Sequence, residues 1–493
     1  MANYALEIIY PRAQGTAGSG LNVNNRCYRA YTGLTYEIRA SAIGGDFPYT
    51  WSLSNAPSGM SINSETGLIT WTNPTSNASN VVVSVEDSSG STDSETWSIT
   101  VGTSGFKFID AVNGSDSNGG TLAAPYQTLA HGVVAAAATD IVYFRTGTYT
   151  WDTLDVDSPG NASQRTDIND ADGEATIWLA YPGESPVLDQ QYAGTGFASH
   201  IRFSSPYIYV DGFEMINIWT FGFSANRKSN YGAVFRNCTF DGTDMDGAGS
   251  GSNAAMIEFF GKDQDCQGSI IQDCVFHDID DANTVKLYGT IKCLVEDCTH
   301  TDINTAAIEP KESNRQYTIR GNTFLRVGNE AVGGDMASDD SSSKHYGEIC
   351  FNNIISAGTN GTAEHDAIAI QRGENLGPTH VYRNTIQGRI FIDDIGTEDG
   401  PIDIRANVLV NNDNNGSPWP YINDGTQITD TGRITVTNNL TRTIAANDVV
   451  STTTGLLIDP YRTSEYLGVY GHEAVRASHV SRKRYRAMRL RAA

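Results

Sequence analysis

The chain has 493 residues, of which 39% are hydrophobic, and its 49 glycines beside 15 prolines are typical of a folded, loop-rich β protein rather than a disordered one. Its 33 basic and 57 acidic residues give a formal net charge of −24, so most of the surface repels polyanions and we expect no nucleic-acid partner. No run approaches the roughly 18–20 apolar residues that cross a bilayer, so we expect no membrane partner.

Residues 1–35 lack the basic, apolar and small-residue pattern of a secretory signal and are predicted as an N-terminal extension or anchor. From residue 36 to residue 102, five stretches alternate apolar and polar residues between Gly, Pro, Asn and Ser turns, which predicts a small β-sandwich. Trp51, Trp71 and Trp97 lie at strand spacing. They form either a sugar-stacking set or part of the sandwich core, and their burial tendency favours the core.

Three motifs of this sandwich carry a family resemblance. The run Gly44-Gly-Asp-Phe-Pro-Tyr-Thr-Trp51, the run from Ala56 to Trp71, and Val85-Glu-Asp-Ser-Ser-Gly90 resemble the immunoglobulin-like, cadherin-related modules of bacterial and phage surface proteins. The resemblance implies an immunoglobulin-like arrangement of the strands over nearly the whole domain.

After a Gly/Ser linker at 102–105, a second domain with an N-terminal cap is predicted over residues 106–459. Its opening, a helix-prone segment at 127–139 and the strand at 140–149 resemble the entry cap and first coil of pectate-lyase-like β-helix proteins. The opening also holds four oxygen-bearing side chains that are compatible with a calcium ion but more typical of tight turns. These are Asp110, Asn113, Asp116 and Asn118.

One strand template recurs along this domain at intervals of roughly 20 to 40 residues, which predicts a solenoid of about nine coils. Stacking would align one shared position of every copy into a ladder inside the coil. The shared positions are Phe213, Cys238, Cys274, Cys298, Asn322, Asn353, Asn384, Asn407 and Asn439. The asparagines predict an amide ladder, and the cysteines form either a metal or redox cluster or, as we favour, a column of buried thiols. The expected fold is all-β, an Ig-like sandwich followed by a right-handed single-stranded parallel β-helix, similar to pectate-lyase-like proteins and phage tailspikes.

The next strand of each coil supplies a row of polar side chains that is expected on an exposed face. The row predicts substrate-binding residues, which are Lys286, Tyr288, Gln371 and Asp393. The same row and the insertions beside it predict catalytic residues, which are Glu309, Lys311, Asp335, His365 and Arg372. No residue is assigned to a metal.

Two chemistries and one structural alternative fit this row. Carboxylates one coil apart would stand near the ~5 Å of retaining glycosidases, and two coils apart near the ~6.5–9.5 Å of inverting ones. If the reaction is elimination across a uronic acid, Lys311 or His365 would take the proton while Arg372 or a cation neutralises the carboxylate. The alternative is a charged ladder that serves solubility. The segment Ala307-Ile-Glu-Pro-Lys-Glu-Ser313 resembles the Lys-bearing strand of β-helix alginate and pectate lyases.

Two further segments bear on cofactors and partners. The runs that begin at Asp241 and Asn169 resemble fragments of calcium loops, so Ca²⁺ is a candidate although no cofactor is firmly implied. Residues 460–493 form a basic tail, predicted to be helical, that suits a nucleic-acid or membrane arm or, on so acidic a chain, an intersubunit or virion-docking element.

Three functions remain open from the sequence. The first is a phage virion protein, a tailspike, fibre or capsid-decorating spike, which binds bacterial surface polysaccharide with or without depolymerase activity. It would be made in the host cytoplasm, dock to other virion proteins through its N-terminal domain or basic tail, and form a homotrimer as tailspikes commonly do. The second is a secreted bacterial polysaccharide lyase or glycoside hydrolase acting on acidic polysaccharide, and the third is a non-catalytic rod.

Overall fold

The structure is a computed structural model, and it describes two sandwich segments and a series of coil segments. The described residues are 4–13, 26–137, 139–150, 165–166, 175–190, 201–203, 207–218, 221–225, 232–243, 254–260, 266–280, 282–312, 314–333, 345–357, 366–371, 377–387, 389–393, 400–411, 422–423, 434–437 and 440–443. Among these residues no helix has the length and apolar character needed to cross a bilayer. The basic tail at 460–493 lies outside them.

The N-terminal domain is the predicted β-sandwich. Its four-stranded sheet consists, in order, of Arg29–Tyr31, Thr92–Gly102, Ala78–Asp87 and Tyr49–Ser54. Its three-stranded sheet consists of Tyr36–Arg39, Leu68–Trp71 and Met60–Ile62, and a two-stranded sheet pairs Glu7–Tyr10 with Ser41–Ile43. Trp51, Trp71 and Trp97 are buried, so the core interpretation of these three side chains is confirmed.

Parts of the segment expected as an N-terminal extension belong to the sandwich. The strand Glu7–Tyr10 pairs antiparallel with Ser41–Ile43. A short 3-10 helix at Arg26–Tyr28 is buried and leads into Arg29–Tyr31, which pairs parallel with the long strand Thr92–Gly102. These pairings hold both described N-terminal segments, residues 4–13 and 26–35, against the rest of the sandwich.

The second domain is the predicted parallel β-helix, with three long parallel sheets as its walls. Sheet 1 consists of Phe106–Ile109, Ile141–Phe144, Ala175–Ala180, Tyr207–Asp211, Val234–Arg236, Ile270–Gln272, Leu294–Glu296, Arg315–Arg320, Tyr346–Cys350, Thr379–Tyr382, Ile402–Arg405 and Ile434–Thr437. Sheet 2 consists of Thr148–Thr150, Val187–Asp189, Glu214–Ile216, Thr239–Asp241, Val275–Ile279, Thr299–Ile303, Thr323–Val327, Asn353–Ala357, Thr385–Gln387, Val408–Asn411 and Leu440–Thr443. Sheet 3 consists of Arg165–Thr166, Ile201–Phe203, Phe221–Ala225, Ala255–Phe260, Asn283–Tyr288 and Ile308–Lys311, followed by Asp366–Gln371, Arg389–Asp393 and Ile422–Asn423. The two parts of sheet 3 are joined by single bridges from Ile308 to Val332 and from Val332 to Ile368.

The coil has more turns than the nine expected, because twelve strands lie in sheet 1. Three coils precede the first recognised repeat, and they begin at Phe106, Ile141 and Ala175. Their interior is filled by large aromatic side chains such as Phe144 and Trp178 rather than by the small ladder residues that define the later copies. The seven-residue helix Leu129–Ala135 covers the open end, with Thr128 as its N-cap and Leu129 and Val133 buried against the first coils.

The asparagine ladder is present, with one correction. Asn352, not the expected Asn353, occupies the shared position, because Thr323 pairs with Asn353 and therefore Asn322 stands beside Asn352. The Oδ1 of Asn352 accepts from Asn322, and its Nδ2 donates to Ile319 and to Asn384. The predicted positions of Asn322, Asn384 and Asn407 are confirmed, and Asn439 lies outside the described residues.

The residue before each ladder position adopts the left-handed conformation, which turns the chain sharply from sheet 1 into sheet 2. This holds for eight successive coils, at Gly212, Asn237, Asp273, Asp297, Gly321, Phe351, Arg383 and Ala406. Gly, Asn and Asp tolerate a positive φ best, which explains why the template favours them there. Phe351, Arg383 and Ala406 hold the same conformation without that advantage.

The cysteines behave as the buried-thiol interpretation requires. All seven are free and buried. Cys238, Cys274 and Cys298 stack on successive coils, and burial, together with the neighbouring thiols, raises the pKa of Cys274 well above its usual value. A thiol with a raised pKa is a poor nucleophile and metal ligand, so this column fills space in the core.

Candidate functional site

The predicted polar row lies on sheet 3 with the register that the sequence suggested. Lys286 pairs with Glu309, and two residues on, Tyr288 pairs with Lys311. Val285 and Leu287 point into the core of the coil, so the side chains between and after them point away from it. Further along the sheet, Gln371 pairs with Asp393 in the same row.

The first two members of the row form a buried ion pair rather than an exposed one. Lys286 Nζ lies 3.0 Å from Glu309 Oε2, and the two residues are only 1% and 9% exposed. Although both side chains point away from the coil interior, they are shielded from water. A close pair in such a setting interacts more strongly than it would on an open surface.

A third ionisable side chain, Glu330, lies near this pair and was missed from the sequence. The bridge between Ile308 and Val332 places Gly333 beside Glu309 on the next coil. A Cβ on Gly333 would lie 2.8 Å from both Cβ and Cγ of Glu330, so the side chain of Glu330 occupies the space that the glycine leaves. Burial, and to a lesser extent the negative charge of Glu309, raises the pKa of the half-buried Glu330.

Glu330 escaped detection because it lies between the strand Thr323–Val327 and the bridge residue Val332, outside the alternating pattern that defined the row. The available signal was Gly333. It follows the bridge residue Val332, at the row position where the two preceding coils carry Lys286 and Glu309. A glycine at such a position often marks a close approach by another group.

Hydrogen bonds with the turn that follows Lys311 support the second part of the row, which consists of Tyr288 and Lys311. Tyr288 donates its hydroxyl to Glu312 Oε1. Glu312 is buried with a φ of 57°, and its carbonyl oxygen accepts from Nδ1 of His345. Burial lowers the pKa of His345 to about 4, so this histidine is neutral near pH 7. Asn314 adds hydrogen bonds from Nδ2 to the carbonyls of Leu287 and Lys311, which fixes the turn after the row.

The remaining predicted site residues are only partly placed. Gln371 and Asp393 lie in the row by their backbone register. Lys311 is half-buried and pairs with Tyr288. Three predicted catalytic residues, Asp335, His365 and Arg372, lie outside the described residues. Among the described candidates, the structure therefore brings together Lys286, Glu309, Tyr288 and Lys311.

A separate group on sheet 2 has donor atoms that could hold a metal ion. Asp241 pairs in register with His277, whose Nδ1 lies 3.6 Å from Asp241 Oδ1 and 2.8 Å from Asp278 Oδ2. It is the one such group of three among the residues that the structure describes. The sequence pointed to Asp241 but not to His277 and Asp278, because they lie on the following coil.

The oxygen-bearing residues at the start of the coil serve turns, as favoured. Asp110 accepts hydrogen bonds from the backbone of Val112 and Asn113. Asp116 accepts from the backbone of Gln127 and Thr128 and from the Thr128 hydroxyl. Although burial alone would raise the pKa of each carboxyl, these hydrogen bonds hold it below its usual range.

Comparison with known proteins finds a family-model match in the N-terminal domain and distant structural likenesses for the chain. Residues 22–102 match the family model described as "Putative Ig domain", which confirms the immunoglobulin-like resemblance. No curated protein matches the chain.

Two solved structures resemble the chain over most of its length. Pectate lyase Pel9A has 12% sequence identity and a TM-score of 0.39, covering 70% of this chain and 78% of its own. A rhamnogalacturonan lyase has 12% identity and a TM-score of 0.33, covering 70% of this chain and 90% of its own. At this identity and TM-score neither structure carries an argument about activity, and the parallel β-helix is established by the sheet topology itself.

Proposed function

We propose that this protein binds polysaccharide along sheet 3 and cleaves glycosidic bonds there, with Glu330 as the proton donor and Glu309 as its partner carboxylate. The observation that carries the proposal is the placement of Glu330 over Gly333, on the coil next to the Lys286–Glu309 ion pair. Glycoside hydrolysis needs two neighbouring carboxyl groups in different protonation states, and environments that separate their pKa values supply them.

The roles follow from the surroundings of each group. A raised pKa keeps Glu330 protonated at a higher pH than an ordinary glutamate, so it can protonate the leaving oxygen. Glu309, paired with Lys286 and largely buried, supplies negative charge from behind Glu330, close to where positive charge develops on the sugar ring. Tyr288 and Lys311 are half-buried two residues further along the same two strands. The Tyr288 hydroxyl oxygen, which donates its proton to Glu312, accepts from sugar hydroxyls, and the Lys311 ammonium binds acidic substituents.

The test is turnover of a panel of neutral and acidic bacterial polysaccharides by the purified chain, followed by reducing-sugar release and by the ultraviolet absorbance of unsaturated products. We expect reducing sugar without unsaturation, and Glu330→Gln should lower turnover by roughly 10²–10⁴-fold because it removes the proton donor. Glu214→Gln, which changes a half-buried glutamate on sheet 2, is the matched control and should keep full turnover.

Each other outcome assigns a different function. Unsaturated products would show elimination, the lyase chemistry, and would contradict the role of Glu330 as a hydrolytic acid. Full turnover by Glu330→Gln would remove Glu330 from the site. Binding without turnover would favour an adhesive protein, and neither binding nor turnover would favour a rod.

The setting that we propose for this site is a phage virion, where the protein binds bacterial surface polysaccharide as a homotrimeric tailspike, fibre or spike. Support comes from the joining of an Ig-like sandwich to a parallel β-helix. An antibody against the chain should label purified phage particles, and light scattering should give three times the chain mass of 53.2 kDa. Recovery only from the culture medium, as a monomer, would favour a secreted bacterial enzyme.

A further inference from the structure

The outer side of sheet 1 is covered by the Ig-like sandwich along most of its length. Contacts between the two domains extend over successive coils from the first to the tenth strand of the sheet. They include Tyr31 with Phe106 and Phe108, Tyr10 with Tyr209, Glu37 with Arg236, Ser41 with Gln272, Arg39 with Asp273 and Asp297, Tyr49 with Arg320, Phe47 with Phe351, and Tyr4 with His380.

The apolar part of this contact is a single shared core. Outward-facing residues of sheet 1 belong to the same buried cluster as the core of the sandwich. The sheet contributes Phe106, Phe108, Ile141, Tyr143, Ile177, Leu179, Tyr209, Val234, Ile270 and Leu294. Without the sandwich this row of apolar side chains would face water, and a contiguous exposed patch of that kind is unfavourable on a soluble domain.

The polar part centres on Glu296, which is clamped between one arginine from each domain. Arg320, from the coil, donates to Glu296 Oε1 at 2.7 Å, and Arg39, from the sandwich, lies 3.4 Å from Glu296 Oε2. Both arginines are buried. Burial alone would raise the pKa of Glu296, but Arg320 and Arg39 outweigh that effect and hold it at about 2.

Each arginine also binds groups across the contact. Arg320 donates to the Tyr49 hydroxyl at 2.9 Å and to the carbonyl of Ala42 at 3.1 Å, both in the sandwich. Arg39 pairs with Asp273 at 2.9 Å and with Asp297 on the next coil. Gln272 bridges Glu296 and Ser41, at 3.0 and 2.9 Å. The network therefore joins the sandwich to three successive coils.

We infer that this contact makes the sandwich and the coil fold and unfold as one cooperative unit. Domains joined by a small polar contact move independently, whereas a large apolar contact with satisfied charges couples them. The sandwich is thus rigidly packed across the coils and is not an independent adhesion domain on a flexible linker.

Native-state hydrogen exchange of the full chain at increasing urea concentration tests this directly. The slowest amides of the sandwich strand Ala78–Asp87 and of the coil strand Arg315–Arg320 should exchange with the same opening free energy and the same urea dependence. Opening of the sandwich strand at lower urea than the coil strand would overturn the inference.

A variant pair adds a second, independent readout. Glu296→Gln removes the charge between Arg39 and Arg320 and should raise exchange in both strands by the same factor, on the order of 10- to 100-fold. Glu184→Gln is the comparison variant, because Glu184 pairs with Arg145 within the coil. In one cooperative unit, any rise in exchange that it causes should also be equal in the two strands. If Glu296→Gln does not fold, Ser41→Ala should give a smaller but equal rise in both strands. It removes the hydroxyl that accepts from Gln272 at 2.9 Å and donates to the Arg39 carbonyl at 3.4 Å. A rise confined to one domain would contradict the coupling.

Discussion

The asparagine ladder allows a sharp prediction about stability, with Asn352→Ala as the perturbation. The Asn352 side chain makes four hydrogen bonds. Its Oδ1 accepts from the backbone N–H and Nδ2 of Asn322, at 3.0 and 3.2 Å, and its Nδ2 donates to the carbonyl of Ile319 and to Oδ1 of Asn384, at 3.0 and 3.1 Å. All of these groups are buried, so water cannot replace the missing partner.

The magnitude follows from those four bonds. The N–H of Asn322 loses its acceptor, which lowers stability by about 1–3 kcal/mol, and each of the other three bonds contributes about 0.5–1.5 kcal/mol. Asn352→Ala should therefore lower the free energy of unfolding by roughly 2.5–7.5 kcal/mol.

The matched control is Cys298→Ala, which changes the same ladder position two coils away. The Sγ of Cys298 lies 3.4 Å from the carbonyl oxygen of Glu296 and 3.9 Å from that of Ile271, both weak contacts. Its removal leaves mainly a small cavity and should lower stability by only about 1 kcal/mol. Equilibrium urea unfolding followed by tryptophan fluorescence compares the two variants. If Asn352→Ala lowered stability no more than Cys298→Ala, the ladder would be packing rather than hydrogen bonding.

Two further predictions concern the turns and the buried histidine. Ala406→Gly should raise the free energy of unfolding by about 0.5–1 kcal/mol, because Ala406 has a φ of 54°. Gly321→Ala should lower it by about 1–3 kcal/mol, because Gly321 has a φ of 70° and the new Cβ would lie 2.4 Å from Asp297 Oδ1. Urea midpoints check both, and a loss on Ala406→Gly would contradict the strain argument. Burial lowers the pKa of His345 in the folded chain to about 4. The contribution of neutral His345 to the free energy of unfolding is therefore complete above the ordinary histidine pKa, and it is lost as the pH falls from that value through the folded pKa. Unfolding free energies measured across that range should therefore fall less steeply for His345→Gln than for the unmodified chain, and identical slopes would show that this histidine does not carry the dependence.

Much of the coil could be predicted from sequence because its interior imposes a repeating pattern. A residue that lines the core recurs once per coil, next to a turn that favours Gly, Asn or Asp, and this gave the register of Cys238, Cys274 and Cys298 and of three asparagines. The same logic aligned Lys286 with Glu309 and Tyr288 with Lys311 on sheet 3. At the coil with two adjacent asparagines, the template fitted Asn352 and Asn353 equally well, and only strand pairing decided between them.

The sequence by itself determined the two fold types, most of the coil register and the row where the candidate site lies, because these depend on local alternation and on contacts that repeat at a fixed interval. Tertiary structure alone decided the burial of the Lys286–Glu309 pair, the approach of Glu330 over Gly333, and the seating of the sandwich on sheet 1. Each of these depends on groups that no periodic pattern relates. Arg39 and Glu296 are far apart in the chain, and they meet only because two independently patterned surfaces fit together in space.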